Sequence, residues 1–138
     1  MFEGVAARTF APLLLRAALA AVFIYHGLDK VQQEKNFGGN WAGDMLPTVL
    51  QFLVAWGELL CGVAIALGLL TRVASLGVIV IMIGAIFTVT GAKGFSAPGG
   101  YELNFVLILV AAALVLTGAG TFSLDRVVQL KSRGPAKY

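Results

Sequence analysis

The chain has 138 residues, 59% of them hydrophobic and only 12% charged, with a mean hydropathy of +0.89. Soluble domains carry about 25% charged residues, so the composition excludes a soluble globular protein and predicts a single-domain integral membrane protein whose first partner is the lipid bilayer. The net charge of +3 does not point to nucleic acid, because the basic residues lie at the ends of apolar segments, where they mark one face of a membrane.

Four apolar segments follow in chain order. The first covers about 10–28, with Pro12 suited to a helix start, and carries Arg16 and His26 before ending in Asp29-Lys30. Arg16 interrupts the apolar core a cleaved signal would need, so this segment is expected to be a retained span. The second, about 46–70, begins near Pro47, and between Met45 and Thr71 its only charge is Glu58. The third, about 73–92, and the fourth, about 103–123 after Glu102, are uncharged throughout. Each is long enough to cross hydrocarbon of about 30 Å, and none shows the period-two alternation of barrel strands about ten residues long. The predicted fold is all-α: a transmembrane four-helix bundle with a short interfacial helix over about 124–131, capped by Ser123 with Asp125 in its first turn.

The connections differ in character. A polar, glycine-containing loop over 31–46 includes Phe37-Gly38-Gly39-Asn40-Trp41, whereas only Thr71-Arg72 separate the second and third spans, which predicts an antiparallel hairpin. An even number of spans puts both termini on one side, together with Arg8, Arg16, Arg72, Arg126, Lys131, Arg133 and Lys137; Lys30, Lys35 and Lys93 lie on the other. That bias predicts a multi-pass protein of a bacterial inner membrane with both termini in the cytoplasm.

Glu58 is the focus of the sequence. A carboxylate near the bilayer midplane is unfavourable by roughly 2.5–3.5 kcal/mol and must face protein, water or a ligand. Its helical neighbours Val54, Ala55, Cys61 and Gly62 are mostly small, which leaves room for another helix or a bound molecule. Depth along the first span puts Arg16 ~9 Å and His26 ~24 Å from the cytoplasmic end, with Glu58 between them. An extended arginine spans the remainder, so an Arg16–Glu58 pair is expected; the alternative is that Arg16 snorkels to headgroups. His26 and Lys30 share a broad stripe with Arg16, and Glu102 lies at their depth. A charged ring of His26, Asp29, Lys30 and Glu102 at the outer mouth follows, or else these are interfacial charges in headgroups. The lone cysteine, Cys61, excludes an internal disulfide or C-x-x-C centre. The single histidine excludes a haem held by two, and neither a flavin motif nor a metal-ligand pattern is present.

These motifs resemble the DoxX family of small four-span integral membrane proteins. The likeness rests on Arg16 with Phe23-Ile24-Tyr25-His26-Gly27-Leu28-Asp29-Lys30, and on Glu58-Leu59-Leu60-Cys61-Gly62 continuing to Leu67-Gly68-Leu69-Leu70-Thr71-Arg72. It extends to Tyr101-Glu102-Leu103 and to Gly118-Ala119-Gly120-Thr121-Phe122-Ser123-Leu124-Asp125-Arg126, where the family often has Gly-Pro-Gly. The resemblance implies association with a membrane thiosulfate:quinone oxidoreductase or with other redox systems, including thiol homeostasis in actinobacteria.

Two functional expectations follow. In the first, the chain is a membrane subunit of a redox system that binds quinone or quinol and works with an electron-donating partner protein. Glu58 is then the catalytic proton carrier, and Arg16, His26, Lys30, Glu58 and Glu102 bind the quinone. No self-sufficient catalytic motif is present, so electrons must arrive from outside the chain. In the second, the chain is a non-catalytic anchor or assembly subunit of a larger complex or homo-oligomer, whose buried charges specify helix packing.

Overall fold

Backbone amides in hydrocarbon must be satisfied within their own segment, and the apolar runs accordingly form helices. The computed structural model of the protein describes residues 2–32 and 37–132. Among these the helices are α1 (Phe2–Gln32), α2 (Thr48–Leu67), α3 (Thr71–Ala85), α4 (Glu102–Thr117) and α5 (Leu124–Ser132), with no strand. The protein is an all-α membrane bundle. Three helical stretches, Gly4–Gln32, Thr48–Leu67 and Thr71–Lys93, are long and apolar enough to cross a membrane, and α4 is a shorter apolar helix. Large apolar side chains point outward: Phe87 is 86% exposed and Leu116 80%. In water such a surface would drive association; here lipid covers it.

Leu19 and Phe23 of α1, Ile65 of α2, Val78 and Met82 of α3 and Leu107 and Leu114 of α4 make the common core. The approach of α1 to α2 is set by two glycines. A Cβ on Gly27 would lie 2.6 Å from the Leu59 backbone nitrogen, and one on Gly62 would lie 2.9 Å from that of Ile24. Both contacts belong to one antiparallel register, which sets position 58 level with position 28 and position 16 level with position 70.

Glycines and one proline account for the differences in helix ends. Gly68, at φ 67, caps α2 in the left-handed conformation that favours glycine. Gly118, at φ 74, ends α4 well before position 123. Pro12 lies inside α1 rather than at its start. It has no N–H to offer the carbonyl one turn back, that of Arg8, and a Cβ on Gly120 would meet the Pro12 ring at 3.0 Å and that carbonyl at 3.5 Å. The third apolar run is α-helical only to Ala85; Ile86–Thr90 forms a π-turn and Gly91–Lys93 a 3-10 turn. The Thr90 hydroxyl donates to Ala85 O at 3.3 Å across that wider turn.

Candidate functional site

At the end of the bundle away from the termini, the α1–α2 register brings the last turn of α1 beside the middle of α2. Lys30 Nζ donates to both carboxylate oxygens of Glu58, at 2.7 Å to Oε1 and 2.6 Å to Oε2. The Glu58 side chain is 4% exposed and that of Lys30 18%. Lys30 Nζ also sits 4.6 Å from the centroid of the Trp41 ring, whose π face adds a second attraction for the cation. A charge this deep needs a partner, since desolvation of either ion alone costs several kcal/mol, and Lys30 fills that role.

The pair lies in the wall of a cavity of about 270 Å³ between α1, α3, α4 and the loop that carries Trp41. Val22, Phe23, Met82, Val89, Leu103 and Leu107 make most of its surface apolar. His26 and Asn104 add polar groups; the Asn104 amide donates to Met82 Sδ at 3.3 Å. Ala85 at the end of α3 and Val89 and Thr90 in the π-turn line the cavity, and a π-turn is a distortion that often marks functional sites in helices.

Gln51 and the two tryptophans hold the loop over this cavity. Gln51 is 1% exposed; its Nε2 donates to Gly43 O at 2.8 Å and Leu46 O at 2.7 Å, and its Oε1 accepts from Ala42 N at 2.7 Å. Trp41 Nε1 donates to Gln51 O at 2.8 Å, and Trp56 Nε1 to Phe37 O at 2.8 Å. Gln51 and Asn104 escaped a sequence reading built on charge alone. The available signal was an uncharged amide placed inside an otherwise apolar segment.

The expected Arg16–Glu58 pair is not formed. Arg16, itself 4% exposed, donates from Nε to Ile65 O at 2.9 Å and from Nη2 to Ala66 O at 2.8 Å. Its Nη1 donates to Ala119 O at 3.1 Å and to Phe122 O. The guanidinium therefore serves the last turn of α2, the negative end of the helix dipole, where Ile65 O also accepts from Gly68 N at 3.1 Å. The register also separates the two groups by twelve residues, roughly 18 Å along the axis. Of the residues of the expected outer ring of charge, His26 and Lys30 line the cavity. Lys30 turns inward to Glu58, while Glu102 is exposed in the first turn of α4 and does not line the cavity. Only its neighbours Leu103 and Asn104 reach the cavity, because successive helical residues point about 100° apart. His26 lines the cavity with its ring edge-on to Tyr25, centroids 5.4 Å apart. Asp29 is exposed.

Comparison with known proteins places these residues in a family. The family model for DoxX matches residues 11–91. A Bacillus subtilis protein named "Putative oxidoreductase CatD" is 34% identical over 116 residues, covering 84% of this chain and 85% of its own. The chain belongs to the DoxX family. An uncharacterized Haemophilus influenzae protein is 27% identical, over 85% of this chain and 82% of its own. A Mycobacterium tuberculosis protein named as an uncharacterized membrane protein is 29% identical, over 83% and 78%. No solved structure matches. In this DoxX chain the matched region holds Arg16, His26, Lys30 and Glu58, whereas Glu102 and Asn104 fall beyond it.

Proposed function

We propose that this DoxX protein is a quinone- or quinol-binding membrane subunit of a redox system, with the reacting ring in the cavity beside Glu58 and Lys30. The carrying observation is the pairing of one carboxylate with one ammonium in the wall of a mostly apolar, partly closed cavity. At about 270 Å³ the space is near the lower end for ligand sites, about 300–1,000 Å³. It takes one substituted ring, and an isoprenoid tail would leave toward the lipid-facing side of α3 and α4. Quinone supplies a centre that takes up two electrons and two protons per cycle and releases them in reverse.

The roles of the protein follow from its donors and acceptors. Lys30 has three N–H groups and spends two on Glu58, so the third can turn to a carbonyl oxygen. Glu58 holds or passes a proton at Oε1 or Oε2, and His26 offers a second proton-transfer group at the cavity wall. Trp41 and the aliphatic walls exclude water. Arg16 and Glu102, set away from the cavity, take no part. The electrons come from a partner protein or a bound reductant, since the sequence has a single cysteine and a single histidine. The oxidoreductase name of the Bacillus relative supports the same class of chemistry, and the basic-residue bias supports a bacterial inner membrane with cytoplasmic termini.

Titrating the purified protein in nanodiscs with a short-chain quinone tests the reading. Trp41 fluorescence should be quenched saturably, the quench should vanish in Trp41→Phe, and Glu58→Gln should weaken it by about tenfold while abolishing quinone-coupled turnover. Quenching that never saturates, or a Glu58→Gln protein indistinguishable from wild type, would remove the proposal. The anchoring alternative draws on Arg16, a buried charge used wholly for packing. It gains ground if native mass spectrometry finds a stoichiometric protein partner and no quinone.

A further inference from the structure

The opposite end of the bundle carries a second, larger recess of about 890 Å³ that the proposed redox reading leaves unused. Its walls are the N-terminal part of α1 with Arg8 and Pro12, the start of α3 with Thr71 and Arg72, the turn after α4, and α5 with Asp125 and Arg126. Three arginines face one carboxylate. That carboxylate is already engaged, since Asp125 Oδ1 accepts from Leu70 N at 2.7 Å and Oδ2 from Thr71 N at 3.0 Å. The guanidinium groups of Arg8, Arg72 and Arg126 form no ion pair among the described residues.

Two hydroxyls sharpen the picture. Thr71 Oγ1 and Thr121 Oγ1, both on residues of the cleft wall, are buried without a hydrogen-bond partner among the described residues. Thr71 is 0% exposed, and a buried hydroxyl left unpaired is unfavourable. The positive end of α3 lies in the same wall. Gly118, at φ 74, makes the turn that ends α4 in this wall, and a Cβ there would lie 3.5 Å from Arg72 Nε, an ordinary contact. Guanidinium forks, hydroxyl donors and a helix start all suit tetrahedral phosphate oxygens.

We propose that this cleft binds the phosphate of an anionic phospholipid. Phosphate chemistry alone would also fit a soluble ion, but the cleft opens onto apolar surface. Leu70 and Val73, which line it, are 62% and 64% exposed, so acyl chains have a surface to follow as soon as the headgroup is seated. A soluble phosphate leaves those side chains uncovered.

The full chain in neutral detergent is titrated with phosphatidylglycerol or phosphatidylcholine, and bound lipid is counted by native mass spectrometry. The expected result is phosphatidylglycerol binding at least about tenfold tighter than phosphatidylcholine, weakened about tenfold by Arg72→Gln. Arg126→Gln, on exposed α5, serves as a second variant should Arg72→Gln fold poorly. Lys131→Gln removes the same charge outside the cleft and should leave binding unchanged. Equal affinity for the two lipids, or an equal loss from Lys131→Gln, overturns the proposal. So does displacement of phosphatidylglycerol by millimolar inorganic phosphate that stabilises the protein equally well, which would assign the cleft to a soluble ion.

Discussion

Arg16, buried midway along α1, and Lys30, half-buried in its last turn, lie toward opposite ends of the bundle and are used in opposite ways. Arg16 is surrounded by backbone: four carbonyls from α2 and the turn after α4 accept its donors. None of those acceptors can titrate, and none faces the cavity. Lys30 instead meets a titratable carboxylate beside open volume, under an aromatic ring. An arginine fork saturated by carbonyls is a fastener. A lysine and a glutamate sharing a cavity wall retain spare donors and acceptors. The contrast separates charge that holds the fold from charge available for chemistry.

The largest effect is expected where that fastener is cut. Arg16→Met removes the arginine donors of four carbonyls and should cost about 4–6 kcal/mol, or abolish folding, in detergent unfolding titrations. Arg16→Lys should recover only part, because a point ammonium cannot bridge carbonyls of two segments as the planar fork does. Recovery to wild-type stability would mean that charge alone, not fork geometry, holds this end. Next comes the pair at the other end. Lys30→Met strands the buried Glu58 side chain and should cost about 3–5 kcal/mol, whereas Lys30→Met combined with Glu58→Leu should regain most of that while losing quinone binding. A double variant that is stable yet binds as wild type would reduce the pair to packing.

A steric probe should act on one end only. Gly27→Ala forces a Cβ to within 2.6 Å of the Leu59 backbone, so α1 must shift from α2 near Lys30 and Glu58. A cost of about 1–3 kcal/mol is expected, with altered Trp41 fluorescence and no change in amide exchange at Ile65 and Ala66. Altered exchange there would mean that the two ends move as one body.

The sequence carried the helices, the hairpin between α2 and α3, and the burial of Glu58, because long uncharged runs and a lone midspan carboxylate are strong signals in hydrocarbon. It did not carry the partner of Glu58. Depth arithmetic ranks Cα heights along each helix separately, while pairing depends on the register between helices, and that register rests on Gly27 and Gly62 meeting backbone rather than on any charge. The π-turn at Ile86–Thr90 left no mark in a run of apolar residues. The roles of Gln51 and Asn104 depend on contacts with a distant loop and with Met82. Asp125 was legible as a first-turn acid of α5, but its bonds cross to another helix start, a tertiary fact that local capping rules do not contain.

Asp125 gives the smallest and most discriminating effect. Asp125→Ala removes the acceptor for Leu70 N and Thr71 N, and loss of a cap costs about 1 kcal/mol. Faster amide exchange should therefore appear at those two residues and leave the cavity end unchanged. The same substitution also deletes the one carboxylate facing Arg8, Arg72 and Arg126 across the cleft. If that cleft receives a lipid phosphate, the variant should be less stable in neutral detergent yet bind phosphatidylglycerol more tightly, so that the stability gap narrows as the lipid is added. A purely structural cap predicts a gap that lipid does not move. Opposite signs for stability and binding in one variant would distinguish a charge that closes a helix from a charge that tunes a site.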